Sequence, residues 1–250
     1  MNKESAGKNT DNLIFGKNSI LECLESSAQT ISKIWVMAES PNPKLKEIEL
    51  KAREHKIPVL KVDRKALDKI SQGEDHRSVI AEISPITVYE EEYLFTNKDI
   101  RTILIPVNIE DPHNLGAIIR TAHAFDVDVL AINSRKSTPV NSTVVSTSAG
   151  AVFRTKIVRL GNISNVIRKL KDAGFWIYGT SVTDNSAIAL DKIKFDAKTV
   201  LLVGNEGKGL GDLLQKQCDF SIYIPMKFES LNVSVATGVI LNKVYQDARV

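Results

Sequence analysis

Short runs in which nearly every residue is apolar recur through the second half of the chain, and most lead into stretches with helical spacing. Thr102–Val107, Val127–Ile132, Trp176–Gly179, Val200–Val203 and Phe220–Ile224 read as strands. Leu115–Phe125, Ile163–Ala173, Leu210–Gln217 and Leu231–Tyr245 read as helices between or after them. A strand that is apolar on both faces must be covered on both. This is the pattern of an α/β fold with a mostly parallel sheet between layers of helices. Ligands of such sheets bind beyond the carboxyl ends of the strands, in the loops that lead into helices.

A smaller alternation precedes this one. Gly16–Ser27 carries Ile20, Leu21 and Leu24 at helical spacing, and Ile34–Met37, Val59-Leu60 and Val79–Ile83 read as strands. With helices over Pro43–His55 and Ala66–Ile70, these elements predict a small α/β sandwich. An acidic, patternless stretch follows Pro85. We therefore expect a polar, disordered tail over 1–12, a first domain over 13–86, a linker over 87–99 and a larger domain over 100–250. The tail lacks the apolar segment of a signal peptide, and no apolar run reaches the ~18–20 residues that span a bilayer. Cys23 and Cys218 are framed neither as a disulfide scaffold nor as a metal ribbon, which suggests a reducing, cytoplasmic setting. Thirty-three basic against 30 acidic residues leave a net charge of +3, a lean towards anionic partners.

Three strand-to-helix loops are unusual. In the first, Asn108–Gly116, Asp111-Pro112 begins a turn and Asn114 sits where an N-cap is expected. Arg120 lies off the apolar stripe of Ile118, Ile119, Ala122 and Phe125. Helical side chains lean towards the N-terminus, so its guanidinium can reach back over Gly116 to the crevice. A positive helix end and an arginine suit a phosphate or a developing oxyanion; a capped surface helix with a solvated arginine is the competing account. The second loop, Gly204–Gly211, places four glycines in eight residues after a buried strand, which lets a ligand approach backbone closely. It has neither the ending of a Walker loop nor the glycine order of a dinucleotide fingerprint. Glu206 is its single acid. In the third, a strand stops at Pro225 and a helix opens with Ser230 as the expected N-cap. Ser234 and Gly238 share a face suited to close packing. That packing face does not explain Asn232 beside Ser230.

Together these loops resemble the three signature motifs of the SpoU (TrmH) family of RNA ribose 2′-O-methyltransferases, within the SPOUT class. The strings are Asp111-Pro-His-Asn-Leu-Gly-Ala-Ile-Ile-Arg120-Thr-Ala, Gly204-Asn-Glu-Gly-Lys-Gly209, and Ile224-Pro-Met followed by Ser230-Leu-Asn-Val-Ser-Val-Ala236. Phe15-Gly-Lys-Asn-Ser-Ile-Leu-Glu-Cys-Leu24 is similar to the opening helix of the substrate-binding domain in the bacterial 23S rRNA guanosine branch. Two features depart from the family pattern. The loop between Met226 and Ser230 is shorter than usual and lacks its glycine, and His76-Arg77-Ser78 stands where His-Gln-Gly is often found.

The resemblance implies a trefoil-knotted C-terminal SPOUT methyltransferase domain behind a small N-terminal domain like a ribosomal protein. It implies S-adenosylmethionine as cofactor and a homodimer through the C-terminal domain, without membrane or metal. The knot rests on the resemblance alone, because periodicity does not separate it from an unknotted sheet. By the same resemblance Arg120 is the central catalytic residue and Asn114 orients the ribose or its phosphate. Glu206, Ser230 and Asn232 are expected to position substrate. Gly204, Ile224 and Leu231 match positions whose backbone holds the cofactor, with Asn205, Met226 and Thr180 as further cofactor candidates. His55, His76, His113 and His123 form no ligand-like cluster in the sequence. Ribosomal RNA is the expected substrate. The alternatives are tRNA, or a non-catalytic RNA-binding or ribosome-assembly factor on the same fold. An oxidoreductase is disfavoured by the glycine order. Residues 44–69, with nine Lys/Arg against five acids, are either an RNA footprint or a solvated helix face.

Overall fold

Two sheets organise the described residues. The computed structural model describes residues 12–133, 140–181, 186–205, 209–227 and 230–248. Its backbone divides into one unit running to Ile86 and including Val140–Phe153, and a second holding the remainder from Thr87 on.

The first unit runs β1 (Leu13–Phe15), α1 (Lys17–Ser27), β2 (Ile31–Met37), α2 (Pro43–Glu54), β3 (Val59–Val62), α3 (Arg64–Ser71) and β4 (Val79–Ile83). Among the described residues its sheet has the order β1-β4-β2-β3, with β4 antiparallel to both neighbours and β2 parallel to β3. Helix starts follow capping chemistry. The Asn42 side chain accepts the Lys44 N–H, with Pro43 at the first helical position. Asp63 accepts the Ala66 N–H and starts α3 two residues before the expected Ala66. β1 escapes a periodicity reading because it is only three residues long.

The turn into β4 is strained. Arg77 and Ser78 sit at φ 47° and 73°, a region that costs a non-glycine residue about 1–2 kcal/mol. His76 braces it: its Nδ1 accepts the Ser78 N–H at 3.0 Å, and its Nε2 lies 3.0 Å from the Asp68 carboxylate. Ser78 occupies the position of the glycine in the usual family pattern. Ser78→Gly is therefore expected to raise stability by about 0.5–1 kcal/mol, net of the chain entropy glycine adds. A melting temperature that fails to rise would show that the brace, rather than backbone strain, dominates this turn.

The second unit holds β5 (Val88–Tyr89), α4 (Tyr93–Thr96), β6 (Thr102–Val107), α5 (Pro112–Ala124) and β7 (Val129–Asn133). After α6 (Ser142–Thr147), which belongs to the first unit, come β8 (Ile157–Leu160), α7 (Ile163–Asp172), β9 (Trp176–Thr180) and β10 (Ile188–Ala189). β11 (Thr199–Gly204), α8 (Asp212–Gln215), β12 (Phe220–Tyr223) and α9 (Val233–Asp247) complete it. The strand order is β10-β12-β9-β11-β6-β7-β8-β5, and every adjacent pair is parallel. The nearly all-apolar strands β6 and β11 lie side by side near its centre, and Ile103, Leu104, Ile105, Val200, Leu201 and Leu202 are fully buried. The parallel sheet inferred from these runs is what the chain forms.

Several boundaries differ from the sequence reading. α5 begins at Pro112, capped by Asp111, rather than at Leu115 capped by Asn114. Proline suits a first helical position because its missing N–H would have no partner there. α9 begins at Val233 with Asn232 as its N-cap, not Ser230. α8 is a single turn, since Gly211 at φ 76° delays its start. β7 starts at Val129 because Asp126 turns the chain at φ 50° and the Asp128 carboxylate accepts the Arg101 and Thr102 amides. Residues 87–99, expected as a linker, carry α4 and the edge strand β5, which pairs with β8. Val140–Phe153, read with the second domain, packs within the first unit. There Ser146 Oγ donates to Ser19 Oγ at 2.8 Å, and Ser27 Oγ donates to the Gly150 carbonyl at 3.3 Å.

Candidate functional site

The carboxyl ends of β6, β9, β11 and β12 lie close together in the sheet, where a parallel α/β fold presents its ligand loops. Beyond them opens a cavity of about 390 Å³, within the ~300–1,000 Å³ range of small-molecule sites. Thr180, Gly204, Asn205, Ile224, Met226 and Leu231 line it, and so does Ser230. The six residues expected to contact cofactor thus share one wall system with a residue expected to position substrate. Glu206 lies outside the described residues.

Backbone geometry shapes this cavity. At the end of β11, a Cβ on Gly204 would lie 2.2 Å from the Gly209 carbonyl carbon and 2.5 Å from both the Gly209 oxygen and the Leu210 nitrogen. The chain after β11 therefore folds back against Gly204 at a distance only glycine allows. The Gly209 N–H closes that loop on the Asn205 carbonyl at 3.0 Å. Thr180 Oγ1 accepts the Gly204 N–H at 3.3 Å, tying the ends of β9 and β11. Asn205 Nδ2 donates to the carbonyl of Asn108 at 3.4 Å, and Asn108 turns the chain out of β6 at φ 55°. A similar close approach occurs within β9: a Cβ on Gly179 would fall 2.4 Å from Cys218 Sγ, and burial pushes that thiol up to about 12.

Further lining residues escaped the sequence reading. Leu210, Ile222, Val233 and Ile240 give the cavity apolar surface, and Gln215, whose Nε2 donates to Ser221 Oγ at 2.7 Å, adds a polar group. In sequence the four apolar residues look like ordinary core, which no periodicity distinguishes from a ligand wall.

The remaining candidates lie on α5 and at the start of α9. Asn114 is half-buried in the first turn of α5, and Asn232 is exposed at the cap of α9. Asn232 Nδ2 donates to Asn114 Oδ1 at 3.0 Å, joining the first and third motifs. Arg120 is exposed on α5, one turn beyond the buried Gly116. Asn114, Arg120 and Asn232 are not among the cavity-lining residues. The small-residue face of α9 meets α5, where a Cβ on Gly238 would lie 3.5 Å from the Thr121 methyl group.

Comparison with known proteins bears on both units. The SpoU rRNA methylase family matches residues 101–242, and the family described as RNA 2′-O ribose methyltransferase substrate binding matches residues 13–89. The chain is 36% identical over 234 residues to the 23S rRNA (guanosine-2′-O-)-methyltransferase RlmB of Xanthomonas campestris pv. campestris, covering 91% of this chain and 93% of that protein. It is 34% identical over 242 residues to a putative TrmH family tRNA/rRNA methyltransferase of Staphylococcus haemolyticus, covering 94% and 96%. Among solved structures, an RNA 2′-O ribose methyltransferase aligns with TM-score 0.72 at 22% identity, over 99% of this chain and 93% of that one. The SpoU methyltransferase AviRb of Streptomyces viridochromogenes, solved with AdoMet, aligns with TM-score 0.67 at 21% identity, over 94% and 89%. These two structures share the fold. With the family matches across both units and relatives above one-third identity over most of its length, the chain belongs to the SpoU rRNA methylase family.

Proposed function

We propose that this chain methylates a ribose 2′-hydroxyl in ribosomal RNA of the 23S type, using Arg120, Asn114, Glu206, Ser230 and Asn232 as its reaction residues. As a SpoU family member it is an S-adenosylmethionine-dependent RNA 2′-O-methyltransferase. The observation that carries the site reading is the convergence of Thr180, Gly204, Ile224 and Leu231, from separate strand ends, on one cavity. The cavity fits the cofactor. Its apolar walls suit an adenine ring, and the Gly204 cradle leaves backbone within reach of a ribose, as such sites require.

When bound, S-adenosylmethionine supplies an electrophilic methyl group on a sulfonium. Gly204, Ile224 and Leu231 hold it through backbone groups, with Thr180, Asn205 and Met226 beside them. The Arg120 guanidinium stabilises negative charge growing on the 2′-oxygen or on its neighbouring phosphate. A guanidinium is too hard to deprotonate to serve well as a base, whereas a fixed positive charge is suited to this electrostatic task. Asn114, Asn232, Ser230 and Glu206 position the ribose.

The first unit binds the RNA. Lys51 pairs with Glu25 and Lys61 with Glu49, each at 3.1 Å. Arg53, Lys56, Arg64 and Lys65 are exposed and make no ion pair among the described residues, so they are the cations this reading assigns to phosphate contacts. A homodimer through the knotted second unit is part of the same reading. Its support is α9, which exposes Val235 (52%) and Val239 (40%) one turn apart on one face. No helix of the described residues is long and apolar enough to cross a membrane, in keeping with the cytoplasmic setting we assign.

Mapping 2′-O-methyl sites in total RNA with and without the protein tests the proposal. One ribosomal position should lose its mark when the protein is absent. A lost mark confined to tRNA would move the substrate, and an unchanged map would remove the activity.

A further inference from the structure

Hydrogen bonds at the start of α9 determine which way two side-chain amides face. The Ser234 peptide N–H can only donate, and it lies 3.0 Å from Asn232 Oδ1, so the oxygen of that amide must point there. Ser234 Oγ donates to the same oxygen at 2.5 Å. With Oδ1 committed, Asn232 presents Nδ2 to Asn114, which can receive it only through its own Oδ1, at 3.0 Å. Asn114 is left with Nδ2, whose two protons have no partner among the described residues.

We infer that Ser234 is a positioning residue whose effect passes through Asn232. It turns the Asn114 amide so that N–H groups, rather than a carbonyl, face the substrate. Those groups donate to an oxygen carrying negative charge, either the 2′-oxygen as its proton passes to water or the adjacent phosphate. This inference rests on the methyl-transfer reading above. It assigns Asn114 the role of donor and excludes it as proton acceptor.

Asn232→Asp isolates the relay. Aspartate is a good N-cap and retains both Ser234 bonds, but it offers Asn114 an acceptor in place of a donor. Asn114 must then turn its N–H groups inward and its carbonyl towards the substrate. The expected loss in kcat is about 10²-fold, the scale of one misplaced oxyanion donor, with cofactor affinity by calorimetry and melting temperature unchanged. A rise in KM for RNA alongside the fall in kcat identifies the phosphate as the recipient; a fall in kcat alone identifies the 2′-oxygen. In the Asn114→Ala background the same Asp should cost nothing more, whereas plain charge repulsion of RNA would persist. Ser234→Ala, which keeps the helix and its peptide donor, should lose less, and Ser234→Thr should restore the rate through its hydroxyl. Additive losses in the double variant, or wild-type kcat in both Asn232→Asp and Ser234→Ala, overturn the relay. A wild-type protein that methylates no RNA would instead overturn the function itself.

Discussion

Arg120→Ala is expected to lower methyl transfer by about 10²–10³-fold or more, the range seen when one preorganised stabiliser of transition-state charge is removed. Cofactor affinity should remain nearly intact, because Arg120 is exposed on α5 and is not among the residues lining the cavity. A single-turnover assay with saturating S-adenosylmethionine, paired with a calorimetric titration, separates the two quantities. Arg120→Lys refines the result. Lysine keeps the charge but loses the planar fork, so an inactive lysine variant shows that two-point geometry matters. A partly active one shows that charge alone carries most of the effect. Full activity in Arg120→Ala would remove this residue from the mechanism while leaving the cavity argument standing.

How far the sequence could be read depended on whether a feature was local. Thr102–Val107 and Val200–Val203 announce β6 and β11 because a central parallel strand needs apolar side chains on both faces. Ile157–Leu160 was missed because Arg159 interrupts its apolar pattern with an exposed side chain. Val140–Phe153 was assigned to the wrong neighbours for a different reason. Its contacts with Ser19 and Ser27 span 127 and 123 residues, and no window along the chain senses such separations. Helix caps failed in a third way. Asp111, Asn114, Ser230 and Asn232 are all competent caps, and only the finished fold decides which of them does the capping. That decision carries chemical weight: with Asp111 capping α5, the Asn114 side chain is released from its own helix and accepts from Asn232.

Gly204→Ala is the second large effect. Glycine-rich loops are easily read as permissive, yet the glycine that ends β11 and those that follow it are not equivalent. Gly209 adopts φ 56° with nothing within 4 Å of an added Cβ, so alanine there meets backbone strain alone, about 1–2 kcal/mol. Gly204 has an ordinary φ, but its added methyl would lie 2.2 Å from a carbonyl carbon. No side chain can rotate away to relieve that contact; the 209–210 backbone itself must move, and with it one wall of the cavity. Overpacking of this kind costs typically about 1–3 kcal/mol. Falling on the bound state, that corresponds to about a 5- to 150-fold rise in the dissociation constant for S-adenosylmethionine. Gly161→Ala is the control, since its added methyl also meets nothing within 4 Å and its φ is ordinary. Calorimetry on the three variants should therefore rank them with Gly161→Ala near wild type and Gly204→Ala far weaker. Wild-type affinity in Gly204→Ala would mean that the cofactor does not depend on this cradle, and the cavity beyond β11 would no longer be its site.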